Sequence, residues 1–194
     1  MNTIVFGKDG KIFGDNSDHF GFIQNIKSQN HNFNFYGKKI LLLGAGGASR
    51  AIVYGLLKEG VDEIFIANRD LAKAKKIADD FSKLGNFQII PWKKRDENLA
   101  NFDMLINSTA LGMVEKEELE IDLKTLKKSA LVCDIVYKPL MTNLLLQAKR
   151  NGNPIITGIG MLIYQGLVGF EKWFGVVPEV DDHLIQKITD LSKK

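Results

Sequence analysis

The chain has 194 residues, of which 45% are hydrophobic and 25% are charged, a composition typical of soluble globular proteins. No apolar run approaches the ~18 to 20 residues that span a bilayer, and the lysines behind the net charge of +3 are spread out, which argues against a membrane protein and a nucleic-acid binder. Cys133 is the single cysteine, so the chain can form no internal disulfide, and a reducing, cytoplasmic location is expected.

Residues 2–14 predict a β-hairpin, because Asp9-Gly10 is a turn signal between two short segments that favour strands. A helix is expected at about 19–29, where Phe20, Ile23 and Ile26 share one face. The polar, Asn-rich stretch that follows predicts a linker, which we place at 31–37.

From residue 38 onward, apolar runs alternate with amphipathic segments. The predicted strands are 39–43, 63–67, 87–90, 104–107, 130–135 and 154–157. The predicted helices are 49–58, 70–83, 122–127, 141–151, 161–174 and 181–192, with a polar segment at 92–101. Six strands alternating with helices predict an α/β protein with a doubly wound parallel sheet, a Rossmann-type domain over 38–194.

The junction between the first of these strands and its helix is rich in glycine. Gly44 suits a tight turn, Gly46 lets the backbone come close to a phosphate, and the helix behind them presents free N–H groups. Ser49 occupies the third position of the G-x-G-x-x-G pattern, where it is a small but imperfect substitute. Such a turn also arises for packing reasons alone, but its place among alternating strands and helices favours dinucleotide binding.

The residues after the second strand bear on which dinucleotide is bound. Arg69 and Lys73 lie four residues apart at the start of a helix, where they can form a cationic clamp on a 2′-phosphate; the alternative is a solvated basic face. Asp70 suits a helix N-terminus, but it could also repel a 2′-phosphate and favour NAD. The charge count favours NADP, with NAD as the alternative.

With these residues in view, the chain resembles the shikimate dehydrogenase family, whose members reduce 3-dehydroshikimate with NADPH. The resemblance runs over nearly the whole chain and rests on short motifs that follow the family's order. The motifs are Asn2-Thr3, Asn16-Ser17-Asp18 (usually Asn-Thr-Asp in the family), Gly44-Ala45-Gly46-Gly47-Ala48, Asn68-Arg69, Ile106-Asn107-Ser108-Thr109 before Gly112-Met113, Asp134-Ile135-Val136-Tyr137 before Pro139, and Gly158-Ile159-Gly160-Met161-Leu162 before Gln165.

The resemblance implies a role for each matched position. Asn2 and Asp18 would contact the substrate hydroxyls, with Asp18 as the catalytic residue, and Tyr137 and Gln165 would close over the same substrate. The implied cofactor residues are Gly44, Ala45, Gly46, Gly47 and Ala48 at the pyrophosphate, Asn68, Arg69, Asp70 and Lys73 at the adenosine 2′-phosphate, Ser108 and Thr109 after the fourth strand, and Ile135 and Gly158 at the nicotinamide. Local sequence alone leaves alternatives open: Asp18 as a helix cap, Gln165 as a surface residue and Tyr137 as a core aromatic.

Members of this family begin with a substrate domain that carries a Ser-x-Ser pair and a catalytic lysine. Here the match starts at Asn2, so we expect that about 80 residues, the size of most of a domain, are absent, and that residues 1–30 are a remnant of it. The lysine partner of Asp18 then has no counterpart. We therefore expect a chain that binds NADP(H) better than it turns over shikimate, and a hairpin with an unpaired edge that promotes self-association, such as a homodimer.

The resemblance thus implies NADPH-dependent reduction of 3-dehydroshikimate in aromatic amino acid biosynthesis, with a small-molecule substrate and no metal. Two alternatives stay open. One is an NAD-dependent quinate/shikimate dehydrogenase, which Asp70 keeps open; the other is a non-catalytic NADP-binding remnant, which the missing lysine favours.

Overall fold

The computed structural model describes residues 1–61 and 63–192, so residues 62, 193 and 194 of the predicted 38–194 domain lie outside the described residues. In chain order, the strands and helices are β1 (Thr3–Phe6), β2 (Ile12–Asp15), α1 (Asp18–Gln29), β3 (Lys39–Leu43), α2 (Gly47–Lys58), β4 (Glu63–Asn68), α3 (Leu71–Phe81), β5 (Asn86–Pro91), β6 (Met104–Asn107), β7 (Leu131–Asp134), α4 (Asn143–Arg150), β8 (Ile155–Ile156), α5 (Ile159–Phe174) and α6 (Asp182–Ser192). Short 3-10 helices occupy Trp92–Lys94 and Leu99–Asn101 within the predicted polar segment.

Six strands form one parallel sheet in the order β5-β4-β3-β6-β7-β8. The chain moves outward from β3 to β4 and β5, then crosses back to β6 beside β3 and continues to the other edge. The carboxyl ends of β3 and β6 therefore lie at a topological switch point, where sheets of this class form their ligand crevice. The predicted doubly wound α/β fold is confirmed.

The strands alternate their side chains between two apolar layers, and this burial on both faces explains their continuous apolar sequences. On one face, Ile40 and Leu42 pack with residues of α1, α2 and α3. On the other face, Leu41 and Leu43 pack with α4 and with the irregular segment between β6 and β7. The central strand β3 is buried from Ile40 to Leu43, so the loops that follow the strands are attached to a well-packed sheet.

The predicted helix at 122–127 is wrong. Residues 124–126 form turns, which begin where the Asp122 carboxylate accepts a hydrogen bond of 3.0 Å from the Lys124 N–H. The segment packs apolar side chains against the sheet without becoming helical, through the buried residues Leu119, Ile121, Leu123 and Leu126. The sheet face rather than a helical hydrogen-bond ladder therefore orders this stretch.

The predicted hairpin is confirmed: β1 and β2 pair antiparallel, with Thr3 opposite Asp15. Helix α1 packs into the core of the six-stranded sheet rather than into a separate core, since Phe22 and Ile26 are buried among the residues of that sheet's core. Gly21 permits this packing, because a Cβ there would lie 2.6 Å from the Met161 carbonyl oxygen of α5. The predicted linker 31–37 contains no helix or strand, but its Phe35 is buried in the same core. The division at residue 30 stays a prediction.

Among the described residues, no helix combines the length and the apolar character needed to cross a bilayer.

Candidate functional site

The glycine turn after β3 has two kinds of glycine. Gly44 has φ +110°, and a Cβ there would lie 2.9 Å from the Ser108 Oγ, so both the backbone conformation and the packing demand glycine. Gly46 and Gly47 differ, because a Cβ on either would meet no atom within 4 Å. Packing alone accounts for Gly44 but not for the two glycines at the start of α2, which leave open space at the helix N-terminus.

Ser49, the imperfect third position of the glycine pattern, has a specific place in the turn. Its buried Oγ accepts a hydrogen bond of 2.9 Å from the Gly46 N–H and lies 2.8 Å from the Ser108 Oγ. The Ser108 hydroxyl donates to the Leu43 carbonyl oxygen at 2.7 Å, so its one proton is used and Ser49 must donate to Ser108. The turn is thereby tied to the loop after β6, which no glycine could do.

A first cavity of about 560 Å³, which we call the basic cavity, lies in front of this turn. It brings together nearly all the residues expected at the pyrophosphate and the 2′-phosphate. Its lining consists of Ala45, Gly46, Gly47, Arg50, Asn68, Arg69, Asp70, Lys73, Lys76 and Ile77. Arg50 and Lys76 are cationic members that the sequence reasoning missed; their helical spacing from Gly46 and Lys73 was the available signal.

The four cations of the basic cavity differ in how free they are. Arg50 donates a hydrogen bond of 2.6 Å to Asp80 and thereby holds the pKa of that carboxyl below its ordinary value. Lys76 lies 3.6 Å from the same carboxylate. Within residues 1–61 and 63–192, no carboxylate forms an ion pair with Arg69 or Lys73. These two side chains are the ones available to an incoming anion.

Asp70 is the N-cap of α3. Its Oδ1 accepts hydrogen bonds from the backbone N–H groups of Ala72 at 3.0 Å and Lys73 at 3.3 Å. The Asn68 side-chain amide donates to the Asp70 carbonyl oxygen at 2.7 Å and fixes the entry to the helix. Of the two interpretations of Asp70, the structure therefore favours the helix N-terminal role.

A second cavity of about 560 Å³, which we call the loop cavity, lies between the loops that follow β6 and β7. Four residues expected at the site meet there: Ser108 and Thr109 from one loop, and Ile135 and Tyr137 from the other. Apolar side chains of Met113, Val114 and Val136 complete much of the lining. Gly158 packs behind this cavity, because a Cβ there would overlap the Ile135 carbonyl oxygen.

Three buried polar residues that the sequence reasoning did not assign to the site support the loop cavity. Asn107 donates to the Asp134 carboxylate at 3.0 Å, and the Thr142 hydroxyl donates to its other oxygen at 2.7 Å. Burial raises the pKa of Asp134 to about 6, against the hydrogen bonds that Thr142, Val136 and Asn107 donate to it. The available signal was a polar residue at the end of each of two apolar strand sequences.

Of the four residues expected to contact the substrate, all except Tyr137 lie outside the lining of the two cavities. The Asn2 side-chain amide donates to Asp18 Oδ1 at 2.7 Å, while Asn2 Oδ1 accepts from the Ser17 N–H at 3.0 Å. Ser17 holds the N-cap position of α1, so the simple capping interpretation of Asp18 does not hold. Gln165 lies on α5 and packs against Gly21, and Gly21 is one helical turn after Asp18 in α1. Asn2, Asp18 and Gln165 do not line either of the two cavities.

Two family models match this chain. The model described as shikimate / quinate 5-dehydrogenase matches residues 26–139, and the model described as shikimate 5′-dehydrogenase C-terminal domain matches residues 158–182. A relative from Dinoroseobacter shibae, named shikimate dehydrogenase (NADP(+)), is 43% identical over 183 residues, which make up 94% of this chain and 65% of the relative. The chain thus spans less than two thirds of that relative's length.

Two solved structures share the fold. Shikimate 5-dehydrogenase from Thermus thermophilus, in complex with NADP(H) and shikimate, is 28% identical with a TM-score of 0.78, over 97% of this chain and 67% of that one. Quinate dehydrogenase from Corynebacterium glutamicum, in complex with NAD, is 25% identical with a TM-score of 0.84, over 96% of this chain and 65% of that one. Proteins similar to this chain therefore bind either dinucleotide.

Proposed function

The chain belongs to the shikimate / quinate 5-dehydrogenase family, and we propose that it binds NADP(H) and reduces 3-dehydroshikimate to shikimate in aromatic amino acid biosynthesis. One observation carries this proposal: the basic cavity and the loop cavity both lie beyond the carboxyl ends of strands of one parallel sheet, and the glycine turn that lines the first packs against Ser108, which lines the second. A dinucleotide needs such a pair of sites, one for its phosphates and one for the flatter nicotinamide.

The described residues fit NADP(H) at the basic cavity. The space above Gly46 and Gly47 lets a pyrophosphate approach the N–H groups of the first turn of α2, where the helix also contributes a partial positive charge. Arg69 and Lys73 would hold the 2′-phosphate, since neither is engaged by a carboxylate of the described residues and the Asp70 carboxylate is turned to its own helix.

When bound, the nicotinamide supplies the hydride that reduces the ring carbonyl. Ile135 and Val136 would exclude water from it in the loop cavity, and Tyr137, which is 40% exposed, can close over a substrate from the same loop. Asn2 and Asp18 would orient the ring hydroxyls, because a carboxylate accepts from a hydroxyl while an amide can donate or accept.

The carbonyl oxygen that is reduced also needs a proton. In the described residues Asp18 pairs with Asn2 and with no lysine, so this pair orients a hydroxyl rather than donating the proton. A positioned acid–base group typically contributes about 10² to 10⁴ in rate. We therefore expect nucleotide binding to be of ordinary strength and turnover by this chain to be slow.

The test is an assay of the oxidation of shikimate and of quinate, followed by NADPH formation with NADP⁺ and by NADH formation with NAD⁺. We expect slow, NADP⁺-dependent oxidation of shikimate. Faster oxidation of quinate with NAD⁺ would favour the alternative reaction, which the similarity to the NAD-bound quinate dehydrogenase supports. Tight NADP⁺ binding without oxidation of either compound would favour the non-catalytic alternative.

A homodimer and a cytoplasmic location complete the proposal. The location rests on the lone, buried and free Cys133 thiol. The dimer rests on an apolar face of the hairpin beside the end of α5: the β1–β2 register places Ile4, Phe6 and Ile12 on one face, and these side chains and that of Trp173 are exposed.

The hairpin presents this face in a fixed orientation, because Trp173 Nε1 donates to the Ile4 carbonyl oxygen at 2.9 Å and Lys172 pairs with Asp15 at 2.5 Å. Light scattering after size exclusion tests the dimer. We expect Phe6→Glu to give a monomer, and Leu84→Glu, an equally drastic change at an exposed residue of another surface, to leave the dimer intact. A wild-type monomer would overturn the proposal.

A further inference from the structure

The strands β6 and β7 are apolar except at their last residues, which carry two buried polar side chains. Asn107 and Asp134 are register partners in the parallel pair, and their side chains are almost entirely buried. The Asn107 amide donates to Asp134 Oδ1 at 3.0 Å. Apolar residues would complete the two strands at less cost in desolvation, so this pair calls for an explanation beyond the core.

Each member of the pair also holds the loop that follows its own strand. Asn107 Oδ1 accepts from both the N–H of Thr109 at 3.1 Å and its hydroxyl at 2.7 Å. Asp134 Oδ1 accepts from the N–H of Val136 at 3.0 Å. Thr109 and Val136 both line the loop cavity. The buried pair therefore fixes the two walls of that cavity relative to each other.

A third residue closes this arrangement. The Thr142 hydroxyl donates to Asp134 Oδ2 at 2.7 Å and accepts from the Leu145 N–H at 3.4 Å as the N-cap of α4. The chain between Val136 and Thr142, which contains Tyr137, is thus anchored at both ends to one carboxylate. We call Asn107, Asp134 and Thr142 the loop clamp.

We infer that the loop clamp positions the two walls of the loop cavity for the nicotinamide end of a dinucleotide, and so determines affinity for the whole dinucleotide without affecting its adenosine end. The inference rests on the proposed function. None of the three residues lines the basic cavity. Their effect must therefore reach a ligand through the loop cavity, as positioning residues rather than as groups that touch the reacting atoms.

The experiment compares two ligands in calorimetric titrations: NADP⁺, and 2′,5′-ADP, which lacks the nicotinamide end. Thr142→Val removes the hydroxyl and keeps the shape of the side chain, whereas Thr142→Ser keeps the hydroxyl. We expect Thr142→Val to weaken NADP⁺ binding about tenfold, the scale of one lost hydrogen bond to a charged group, and Thr142→Ser to restore it. The affinity for 2′,5′-ADP should stay the same in all variants.

Thr142→Val also removes the cap of α4, so a control for lost stability is needed. Leu123→Ala truncates a buried side chain of the hydrophobic cluster that also contains Leu145 of α4. Leu123 lines neither cavity. The substitution should lower the unfolding temperature without changing either affinity. An NADP⁺ affinity unchanged by Thr142→Val, or a loss shared equally by 2′,5′-ADP or by Leu123→Ala, would overturn the inference.

A measurement without ligand separates this inference from the proposed function. Amide hydrogen exchange of Val136 should quicken in Thr142→Val, while exchange of Gly46 should not change. Slow exchange of Val136 in the variant would refute the clamp itself. If wild-type protein bound neither NADP⁺ nor 2′,5′-ADP, the proposed function would fail first, and the exchange result would still decide whether the clamp fixes the loop.

Discussion

The basic cavity and the loop cavity lie at the same edge of the same sheet, but they are built in different ways. The basic cavity consists of two short, continuous stretches, the glycine turn and the start of α3, together with exposed cations. The loop cavity depends on side chains that meet across two strands, with Asn107 and Asp134 buried and 27 residues apart in the chain.

This difference separates two ways of holding a ligand. In the basic cavity, backbone N–H groups receive an anion together with Arg69 and Lys73, which pair with no carboxylate of the described residues. In the loop cavity, buried hydrogen bonds order the walls before any ligand arrives, which lowers the conformational entropy lost on binding. A substitution in the basic cavity should therefore change only the contacts of the replaced residue. A substitution of a buried residue behind the loop cavity should change the position of the cavity walls.

The largest expected effect separates two glycines of one turn. Gly44→Ala forces φ +110° on an alanine and places its Cβ 2.9 Å from Ser108 Oγ, so we expect a loss of about 3 kcal/mol in the free energy of unfolding. Gly46 has an extended backbone with φ −93°, and a Cβ there would meet free space. Gly46→Ala should therefore change the free energy of unfolding little, while NADP⁺ affinity falls at least tenfold. Urea unfolding and calorimetric titration measure the two effects. Equal stability losses would refute this distinction.

The next effect concerns the charge of the basic cavity. Arg69→Ala should weaken NADP⁺ binding about tenfold to a hundredfold, because one charge-assisted contact to the 2′-phosphate is lost, and should leave NAD⁺ binding unchanged. Lys93→Ala, outside the lining of either cavity, serves as the matched control. Equal losses for both nucleotides would show that Arg69 does not read the 2′-phosphate.

Ser49 provides a test of the link between the two cavities. Ser49→Gly would restore the usual glycine pattern, but it removes the acceptor of the Gly46 N–H and the donor to Ser108. We expect a loss of about 1–2 kcal/mol in the free energy of unfolding, since buried groups lose their partners. A more stable variant in urea unfolding would mean that the hydroxyl chain is dispensable.

The last expected effect is a pH dependence of stability. The folded-state pKa of Asp134, about 6, lies above the ordinary value of 3.8, so the folded chain binds the proton more tightly than the unfolded chain. The free energy of unfolding should therefore fall as pH rises from about 4 to about 6, and the nearby Glu118 carboxylate acts in the same direction.

Asp134→Asn removes this titration and should give a flatter profile than the wild type over that range. Carboxyls with lowered pKa values, such as Asp15 beside Lys172, lose their stabilising effect only at lower pH, so the two contributions separate. Parallel profiles of wild type and variant between pH 4 and 6 would contradict the assignment. Urea unfolding at a series of pH values provides the comparison.

The sequence predicts what depends on neighbouring residues. The β1–β2 hairpin, the six strands and the glycine turn follow from turn signals and apolar runs, and the basic cavity follows from motifs within a few residues of each other. The predicted helix at 122–127 fails because the spacing of its leucines reflects contacts with the sheet face rather than a helical repeat.

The loop clamp could not be predicted from the sequence, and the reason is related. Asn107 and Asp134 each look like an ordinary polar end of an apolar strand, and only the parallel register of β6 and β7 makes them partners. Ser49 illustrates the same limit. In the sequence pattern, Ser49 is only a departure from the usual glycine. In the structure, its hydroxyl connects two loops that lie 59 residues apart in the chain.

The most direct test of the central claim is a calorimetric titration of the wild-type chain with NADP⁺ and with NAD⁺, followed by competition with 2′,5′-ADP. We expect NADP⁺ to bind at least tenfold more tightly than NAD⁺ and to be displaced fully by 2′,5′-ADP, because Arg69 and Lys73 hold the 2′-phosphate in the basic cavity. Equal or tighter binding of NAD⁺, or NADP⁺ binding that 2′,5′-ADP cannot displace, would contradict this claim.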